Sequence, residues 1–144
     1  MTINNINLYT WGTPNGRKVS ILLEELGMNY SVVEINITSN EQNHDSFIEI
    51  NPNKKIPVIT FDYENKKDIA LCESGAILIF LSTISNKFYS EKIFEKMVID
   101  QWLMFQMSSI GPIFGQSHHF YKFNKGKSKY GEDRYHKITK DIYE

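Results

Sequence analysis

Three things are scarce in this chain of 144 residues: cysteine, charge of one sign, and long apolar runs. The single cysteine, Cys72, can form neither an intramolecular disulfide nor a multi-thiolate metal cage, and no metal site is predicted. Sixteen basic and seventeen acidic residues leave a net charge of −1, which provides no field to attract nucleic acid or an anionic membrane surface. We therefore expect neither of those partners.

The longest apolar run, Ala76–Leu81, is far too short to cross a bilayer. Residues 1–11 lack the basic region and following apolar stretch of a signal peptide, so the expected location is the cytoplasm. Against these absences, 41% of the residues are hydrophobic and 13% are aromatic. Such a composition is typical of a globular chain, and the length suits one domain or a small domain and part of a second.

The beginning of the chain predicts a βαβ unit. Residues 6–10 have the pattern of a short strand, and apolar residues then recur at helical spacing from Val19 to Leu26. Gly27 is suited to end that helix in a left-handed conformation. Tyr30–Ile37 is β-branched and alternating, which predicts a second strand.

A short helix at His44–Glu49 and a hairpin are predicted next. Val58–Phe61 and Ile69–Cys72 are the predicted strands of the hairpin, joined by the polar turn Asp62–Asp68, and a strongly apolar helix follows them. The order βαβ, helix, ββα predicts an α/β thioredoxin-like domain over residues 1–86, with a mixed sheet between helices.

Residues 91–144 carry no strand signal and have the pattern of the first helices of an all-α domain. A helical pattern extends from Glu91 to Ser109 and is interrupted at Gly111-Pro112. Lys122–Gly131 is polar and predicts a loop, and Arg134–Tyr143 predicts a further helix.

The segment Thr13-Pro14-Asn15-Gly16 stands where a strand meets a helix. Unpaired N–H groups and the dipole at a helix N-terminus favour an anion, and the Thr13 hydroxyl and Asn15 amide can donate to the same point. In thioredoxin and glutaredoxin folds this junction holds Cys-Pro-x-Cys, so a thiol here must come from a ligand. The alternative is an ordinary N-cap, for which threonine and asparagine are favoured on local grounds alone.

A second candidate is Lys55-Ile56-Pro57-Val58, at the start of a predicted strand. A cis bond before Pro57 would turn the backbone N–H and C=O of Ile56 outward, where an extended peptide could pair with them as an added strand. The alternative is a loop proline that simply leads into the strand.

Glu73-Ser74 is the third candidate. The helix N-terminus expected there can bind a carboxylate, and Glu73 can pair with an ammonium, so the two together suit the head of an α-amino acid. The alternative is that Ser74 is an ordinary N-cap. The three candidates offer a thiolate pocket, a backbone edge for a peptide and an amino-acid clamp, which match the parts of glutathione.

Several longer segments resemble a known family. NLYTWGTPNGRKVSILLEELGMNY, NPNKKIPVITF and ESGAILIFLS resemble the glutathione-binding domain of cytosolic glutathione transferases. TPNG, NKKIP, QWLMFQM and GPIFGQSHHF resemble a narrower bacterial branch, the nu-class enzymes related to the yeast nitrogen-catabolite regulator. The similarity covers nearly the whole chain. It implies a homodimer that reduces small disulfides with glutathione as co-substrate, or joins the same thiolate to an electrophile.

The resemblance also implies a role for individual residues. Thr13 and Asn15 would be the catalytic pair and would flank the glutathione sulfur. Gln42 would reach the glycine end of glutathione. Ile56 would pair its backbone with the cysteinyl part, next to a cis Pro57.

At the other end of glutathione, Glu73 and Ser74 would hold the γ-glutamyl head. Arg134 resembles a family arginine that reaches glutathione bound to the neighbouring subunit. Family members continue through several more helices beyond the position of Glu144, so the helical domain is expected to be incomplete. We then expect part of an apolar face to lie open, which predicts association.

Two other classes of function stay open. One is a catalytically weak glutathione-fold module that acts through protein interaction. The other is a glutaredoxin-like protein that uses its own thiol, Cys72, although free cysteines are among the most buried residues. Tyr9, inside the first predicted strand, is assigned to the core and not to thiol activation.

Overall fold

The computed structural model of the chain describes residues 3–144. The chain divides into two compact units, Met1–Ser90 and Glu91–Glu144. Among the described residues, every helix is too short or too polar to cross a membrane. The strands and helices of the first unit are β1 (Ile3–Thr10), α1 (Pro14–Leu26), β2 (Tyr30–Glu34), α2 (Asp45–Ile48), β3 (Val58–Tyr63), β4 (Lys66–Cys72) and α3 (Ser74–Ser85).

The four strands form one mixed sheet in the order β2-β1-β3-β4. Strand β1 is parallel to β2 and antiparallel to β3, and β3 is antiparallel to β4. A parallel pair requires a crossover connection, which α1 supplies between β1 and β2. The thioredoxin-like order predicted from the sequence is thereby confirmed.

Side chains on the two faces of the sheet enter two separate cores. Because successive strand residues point to opposite faces, Leu8 and Ile59 lie on one face and their neighbours Tyr9 and Val58 lie on the other. The first face is covered by α1 and α3, and its fully buried residues are Leu8, Val19, Leu23, Ile59, Ile77 and Leu81. On the second face Val58 is buried with Ile35 and Phe47, and Tyr9 packs against them. The assignment of Tyr9 to the core is confirmed.

Helix α1 ends where the sequence predicts. Gly27 adopts φ 65° and ψ 31°, a left-handed conformation, and donates its N–H to the carbonyl of Glu24. The N–H of Met28 reaches the carbonyl of Leu23. These bonds satisfy carbonyl groups that the helix end leaves without partners.

Strand β2 is shorter than predicted. It ends at Glu34, and Ile37 opens a 3₁₀ turn, Ile37–Ser39, instead of continuing the strand. The side-chain oxygen of Asn36 accepts the N–H groups of Thr38 at 2.9 Å and Ser39 at 3.2 Å. This local cap competes with the sheet for the backbone hydrogen bonds. The alternation of apolar residues therefore predicted a strand that is too long.

The predicted seven-residue turn of the hairpin is also wrong. Strands β3 and β4 extend to a two-residue connection at Glu64 and Asn65, with Glu64 at φ 55°. The carboxylate of Asp62 accepts hydrogen bonds from Asn5 Nδ2 at 2.7 Å and from the backbone N–H of Asp68 at 3.0 Å. These bonds hold polar residues within the strands, where their sequence alone indicated a loop.

The second unit is helical. Its helices are α4 (Ile93–Phe105), α5 (Gly111–His118) and α6 (Lys129–Tyr143), with π-helical segments Gln106–Ile110 and His119–Phe123 on either side of α5. The predicted interruption at Gly111-Pro112 is wrong, because the helical path continues through it. Pro112 has no N–H to donate and crowds the carbonyl four residues before it, and the preceding turn is widened to a π segment.

Helix α6 begins five residues earlier than predicted, at Lys129. The hydroxyl of Ser128 accepts the N–H of Gly131 at 3.2 Å as a side-chain cap. Gly131 is buried, and a Cβ placed on it would lie 2.7 Å from the ring of Phe120. The glycine therefore permits close packing of the helix start, although glycine and polar residues there had indicated a loop.

Candidate functional site

The candidate site begins at the N-terminus of α1. Thr13 is the N-cap, with extended backbone angles, and its Oγ1 accepts the N–H of Gly16 at 3.2 Å. A hydroxyl has two acceptor positions and one proton, so Thr13 still has an O–H to donate in front of the helix. The N-cap alternative is thus correct as a description of Thr13, and it leaves the hydroxyl proton available to an anion.

Asn15, in the first turn of α1, is exposed. Its Oδ1 accepts a hydrogen bond from the ammonium of Lys18 at 2.9 Å. The two protons of its Nδ2 are left for an external acceptor. Sequence reasoning missed Lys18, although residues three apart on a helix are neighbours, which is the signal that could have found it.

The loop before β3 is fixed by a buried asparagine. Asn51 is 2% exposed, and its Nδ2 donates to the carbonyl of Lys55 at 2.7 Å while its Oδ1 accepts the N–H of Asn53 at 3.1 Å. The Ile56–Pro57 peptide bond is cis, as the resemblance implied. Among residues 3–144, no backbone hydrogen bond of Ile56 is found. Its N–H and C=O are therefore available to a bound peptide.

The start of α3 differs from the sequence prediction. Glu73, not Ser74, occupies the N-cap position, and Ser74 is the buried first residue of the helix. The N-cap alternative for Ser74 is therefore wrong. Glu73 adopts φ 68° and ψ 115°, a conformation that side chains other than glycine rarely take, and its side chain is exposed. Such backbone outliers concentrate at functional sites.

Cys72 lies directly before Glu73 and opposite Val58 in the sheet. Burial, and secondarily the nearby carboxylate of Glu73, raise the pKa of the Cys72 thiol. A raised pKa keeps the thiol protonated at neutral pH, and the protonated form is a poor nucleophile.

The register of the sheet brings the three parts together. Tyr9 of β1, Val58 of β3 and Cys72 of β4 lie opposite one another, so the residues beyond them share one edge of the sheet. Neighbouring strands are about 4.8 Å apart, and the distance from β1 to β4 is therefore about 10 Å. A tripeptide spans about 10 Å when extended. The residues at this edge are Thr13, Asn15, Ile56, Pro57, Glu73 and Ser74.

Gln42 belongs to a 3₁₀ turn, Glu41–Asn43, that follows β2. Its side-chain Oε1 is buried and has no hydrogen-bond partner among the described residues. An unpaired buried polar atom is costly, and a ligand that donates to it would remove that cost.

Arg134 lies on α6 in the second unit and is exposed. It is not among the residues that the sheet register brings to the edge shared by Thr13, Ile56 and Glu73. Within residues 3–144, no group of three or more histidine, cysteine, aspartate or glutamate side chains is placed to hold a metal ion.

Comparison with known proteins identifies the family to which the chain belongs. Residues 4–83 match the family model "Glutathione S-transferase, N-terminal domain". The chain is 35% identical over 141 residues to the disulfide-bond oxidoreductase YfcG of Escherichia coli, covering 96% of this chain and 65% of that protein. It is 36% identical to Protein URE2 of Candida glabrata over 140 residues, covering 90% of this chain and 38% of URE2.

A crystal structure of a glutathione transferase family member from Pseudomonas fluorescens, with two glutathione molecules bound, superposes with a TM-score of 0.90. It is 38% identical, and the match covers 96% of this chain and 63% of that one. This chain belongs to the glutathione S-transferase family. Within the family it is of the type represented by YfcG and URE2.

Proposed function

We propose that this protein binds glutathione and uses its thiolate to reduce disulfides. The observation that carries the proposal is that three features share one edge of the sheet. They are the N-terminus of α1 with two side-chain donors, the unpaired backbone of Ile56, and the carboxylate of Glu73 beside the N-terminus of α3. Together they span about the length of a tripeptide. The description of YfcG as a disulfide-bond oxidoreductase supports the reaction class.

Each part of glutathione has a proposed partner. Thr13 and Asn15 donate hydrogen bonds to the sulfur, and Ile56 pairs its backbone with the cysteinyl residue beside Pro57. Glu73 accepts hydrogen bonds from the γ-glutamyl ammonium. The N-terminus of α3 at Ser74 binds the γ-glutamyl carboxylate, and the unpaired Oε1 of Gln42 accepts the backbone N–H at the glycine end of glutathione.

Hydrogen bonds alone can activate the thiol. A cysteine thiol has a reference pKa of about 8.5, and lowering it by two units requires about 2.7 kcal/mol of preference for the anion. A hydrogen bond to a charged acceptor contributes about 1.5–3 kcal/mol. One or two donors at the start of α1 are therefore sufficient, and no thiol or phenol of the protein is needed.

The reaction balances with two glutathione molecules. The bound glutathione thiolate attacks one sulfur of the substrate disulfide, which forms a mixed disulfide and releases the other sulfur as a thiolate. A second glutathione thiolate attacks the glutathione sulfur of the mixed disulfide and releases the second substrate thiolate. Two glutathiones are oxidised to glutathione disulfide, and the two released thiolates take up the two protons. The same bound thiolate can also attack an electrophilic carbon, which gives a conjugating side activity.

We place the protein in the nu-class branch, as a cytoplasmic homodimer in which Arg134 reaches glutathione bound to the partner subunit. The support for the dimer is the set of exposed apolar side chains on α4. A competing function is protein interaction without turnover, which the similarity to the nitrogen regulation fragment of yeast Ure2p favours. The chain spans less than two thirds of the length of YfcG, so these statements about the whole protein are part of the proposal.

The test is turnover of a small model disulfide with glutathione, measured for the wild-type chain, Asn15→Ala and Cys72→Ser. We expect activity in the wild type, loss of most of it in Asn15→Ala, and full activity in Cys72→Ser because Cys72 takes no part in the reaction. Activity that disappears with Cys72→Ser would favour a redox protein that uses its own thiol. Glutathione binding without turnover would favour the interaction function.

A further inference from the structure

The first two turns of α1 carry an unusual distribution of charge. Cations near a helix N-terminus oppose the helix dipole, yet Arg17 and Lys18 both lie close to this N-terminus and its first turn contains no acidic residue. Within the described part of the chain, no carboxylate forms an ion pair with either residue. The arrangement suits a helix start that receives an anion.

Lys18 is the more constrained of the two cations. Its side chain is half-buried and lines an apolar groove together with Ile21, Leu22 and Glu25, whereas Arg17 is exposed. Burial lowers the pKa of Lys18. The lysine therefore loses hydration without gaining a carboxylate partner, and its one hydrogen bond in the described structure is to Asn15.

That hydrogen bond fixes which way the Asn15 amide points. An ammonium group can only donate, so the atom 2.9 Å from Lys18 Nζ must be the amide oxygen of Asn15. With the oxygen held towards Lys18, the Nδ2 group of Asn15 points away from it. A carboxamide without this constraint could rotate and present its oxygen to the thiolate, which would repel it.

We propose that Lys18 is a positioning residue, which holds the oxygen of the Asn15 amide so that Nδ2 donates to the glutathione sulfur. The proposal rests on the proposed function, because it assigns to Lys18 the orientation of a group in that same site. Lys18 acts through Asn15. Thr13 and Asn15 both donate to the glutathione sulfur only while the hydrogen bond from Lys18 to the Asn15 oxygen is in place.

The test is the fraction of bound glutathione present as thiolate, followed by its ultraviolet absorbance across a pH titration. Lys18→Met keeps the apolar stem and removes the donor, and Lys18→Arg keeps a donor and the charge. We expect about a three- to tenfold smaller thiolate fraction in Lys18→Met at a pH below the thiol pKa, since a hydrogen bond to the reacting group is lost in part of the population. Lys18→Arg should restore most of the signal.

Two controls separate positioning from a general effect of charge. Arg17→Gln removes the same charge one residue away and should change the thiolate fraction much less. In an Asn15→Ala background, Lys18→Met should cause no further loss, because the residue through which it acts is gone. Lys18→Leu, which also lacks a donor, replaces Lys18→Met if circular dichroism shows that the methionine variant is unfolded.

The outcomes are distinct from those of the proposed function. A folded wild-type chain that gives no thiolate signal with glutathione overturns the proposed function and the role of Lys18 with it. A normal wild-type signal that persists in Lys18→Met overturns the role of Lys18 alone. Equal losses from Lys18→Met with and without Asn15 would mean a direct electrostatic effect and would also overturn positioning.

Discussion

Gly16 shows at the scale of a single residue how closely the backbone approaches at the candidate site. A Cβ on Gly16 would overlap with Thr10 Oγ1 and would lie 3.0 Å from the carbonyl oxygen of Trp11. The contact with Thr10 is too short to occur without movement of that side chain, and the contact with Trp11 is unusually tight. The absence of a side chain at Gly16 therefore lets α1 start directly against the end of β1, which is what presents Thr13 and Asn15 at the sheet edge.

We predict that Gly16→Ala lowers the free energy of unfolding by about 1–3 kcal/mol, the usual cost of overpacking. Urea denaturation followed by circular dichroism measures the change. Thr10→Ala should recover part of the loss in the Gly16→Ala background, since it removes the closest atom, whereas Thr10→Ser should recover little.

Gly115 on α5 is the matched control, because a Cβ on it would meet nothing within 4 Å. Alanine is favoured over glycine inside a helix by up to about 1 kcal/mol, so Gly115→Ala should leave stability unchanged or raise it. Equal effects of the two substitutions would contradict the account of Gly16.

At the scale of the secondary-structure elements, the sequence predicted those with strong periodicity. Helix α1 was correct at both ends because Thr13 and Gly27 carry unambiguous capping signals. Two of the failures lie where local hydrogen bonds of polar side chains decide the backbone. Asn36 ends β2 early, and Ser128 starts α6 early. A pattern of apolar residues cannot report such bonds.

The sequence predicted the individual residues of the candidate site but not how the fold brings them together. Thr13, Ile56 and Glu73 were each named from local motifs, but only the sheet register shows that they share one edge. Their partners were missed: Lys18 looked like an ordinary surface residue, and the burial of Asn51 depends on a loop closed by the fold. Roles that rest on the resemblance, such as that of Arg134, stay predictions.

The β3–β4 hairpin gives a prediction at the element scale that depends on pH. The pKa of Asp62 is lowered, first by the hydrogen bond from Asn5 and then by the backbone N–H of Asp68. A carboxyl group with a lowered folded-state pKa stabilises the fold above its unfolded-state value, near pH 4, and this contribution disappears as the pH falls through the folded-state value. Asp62→Asn should therefore be less stable than the wild type at pH 7.

The difference between wild type and Asp62→Asn should shrink below about pH 4, as measured by urea denaturation at several pH values. Asp68→Asn is the matched control, since Asp68 contributes its backbone N–H to this network and the substitution leaves that group in place. A difference between Asp62→Asn and the wild type that is the same at pH 7 and at pH 3 would contradict the assignment.

At the scale of the whole molecule, the second unit exposes an unusual amount of apolar surface. Phe94 is 77% exposed and Trp102 is 62% exposed, and other apolar residues of α4 accompany them. Isolated exposed apolar residues are normal, but a contiguous group marks an interaction surface. The exposed large apolar residues of α4 are Ile93, Phe94, Met97, Val98, Trp102 and Met104.

We predict that the chain associates in a concentration-dependent way and that Phe94→Lys weakens the association by about tenfold or more, as expected for an aromatic residue near the centre of an interface. Sedimentation velocity over a range of concentrations measures it. Val32→Lys, on the edge strand β2 and 55% exposed in the wild type, should have little effect. A wild-type chain that is monomeric at every concentration would contradict the prediction.

The central claim is that the start of α1 is the thiol end of a glutathione site, and calorimetric titration tests it most directly. The purified chain is titrated with glutathione and with glutathione disulfide, alongside Asn15→Ala and Thr13→Val, with folding of each checked by circular dichroism. We expect the wild type to bind both ligands and each variant to bind glutathione roughly ten- to a hundredfold more weakly, since each loses a hydrogen bond to the charged glutathione thiolate. A folded wild-type chain that binds neither ligand, or variants that bind as tightly as the wild type, would contradict the claim.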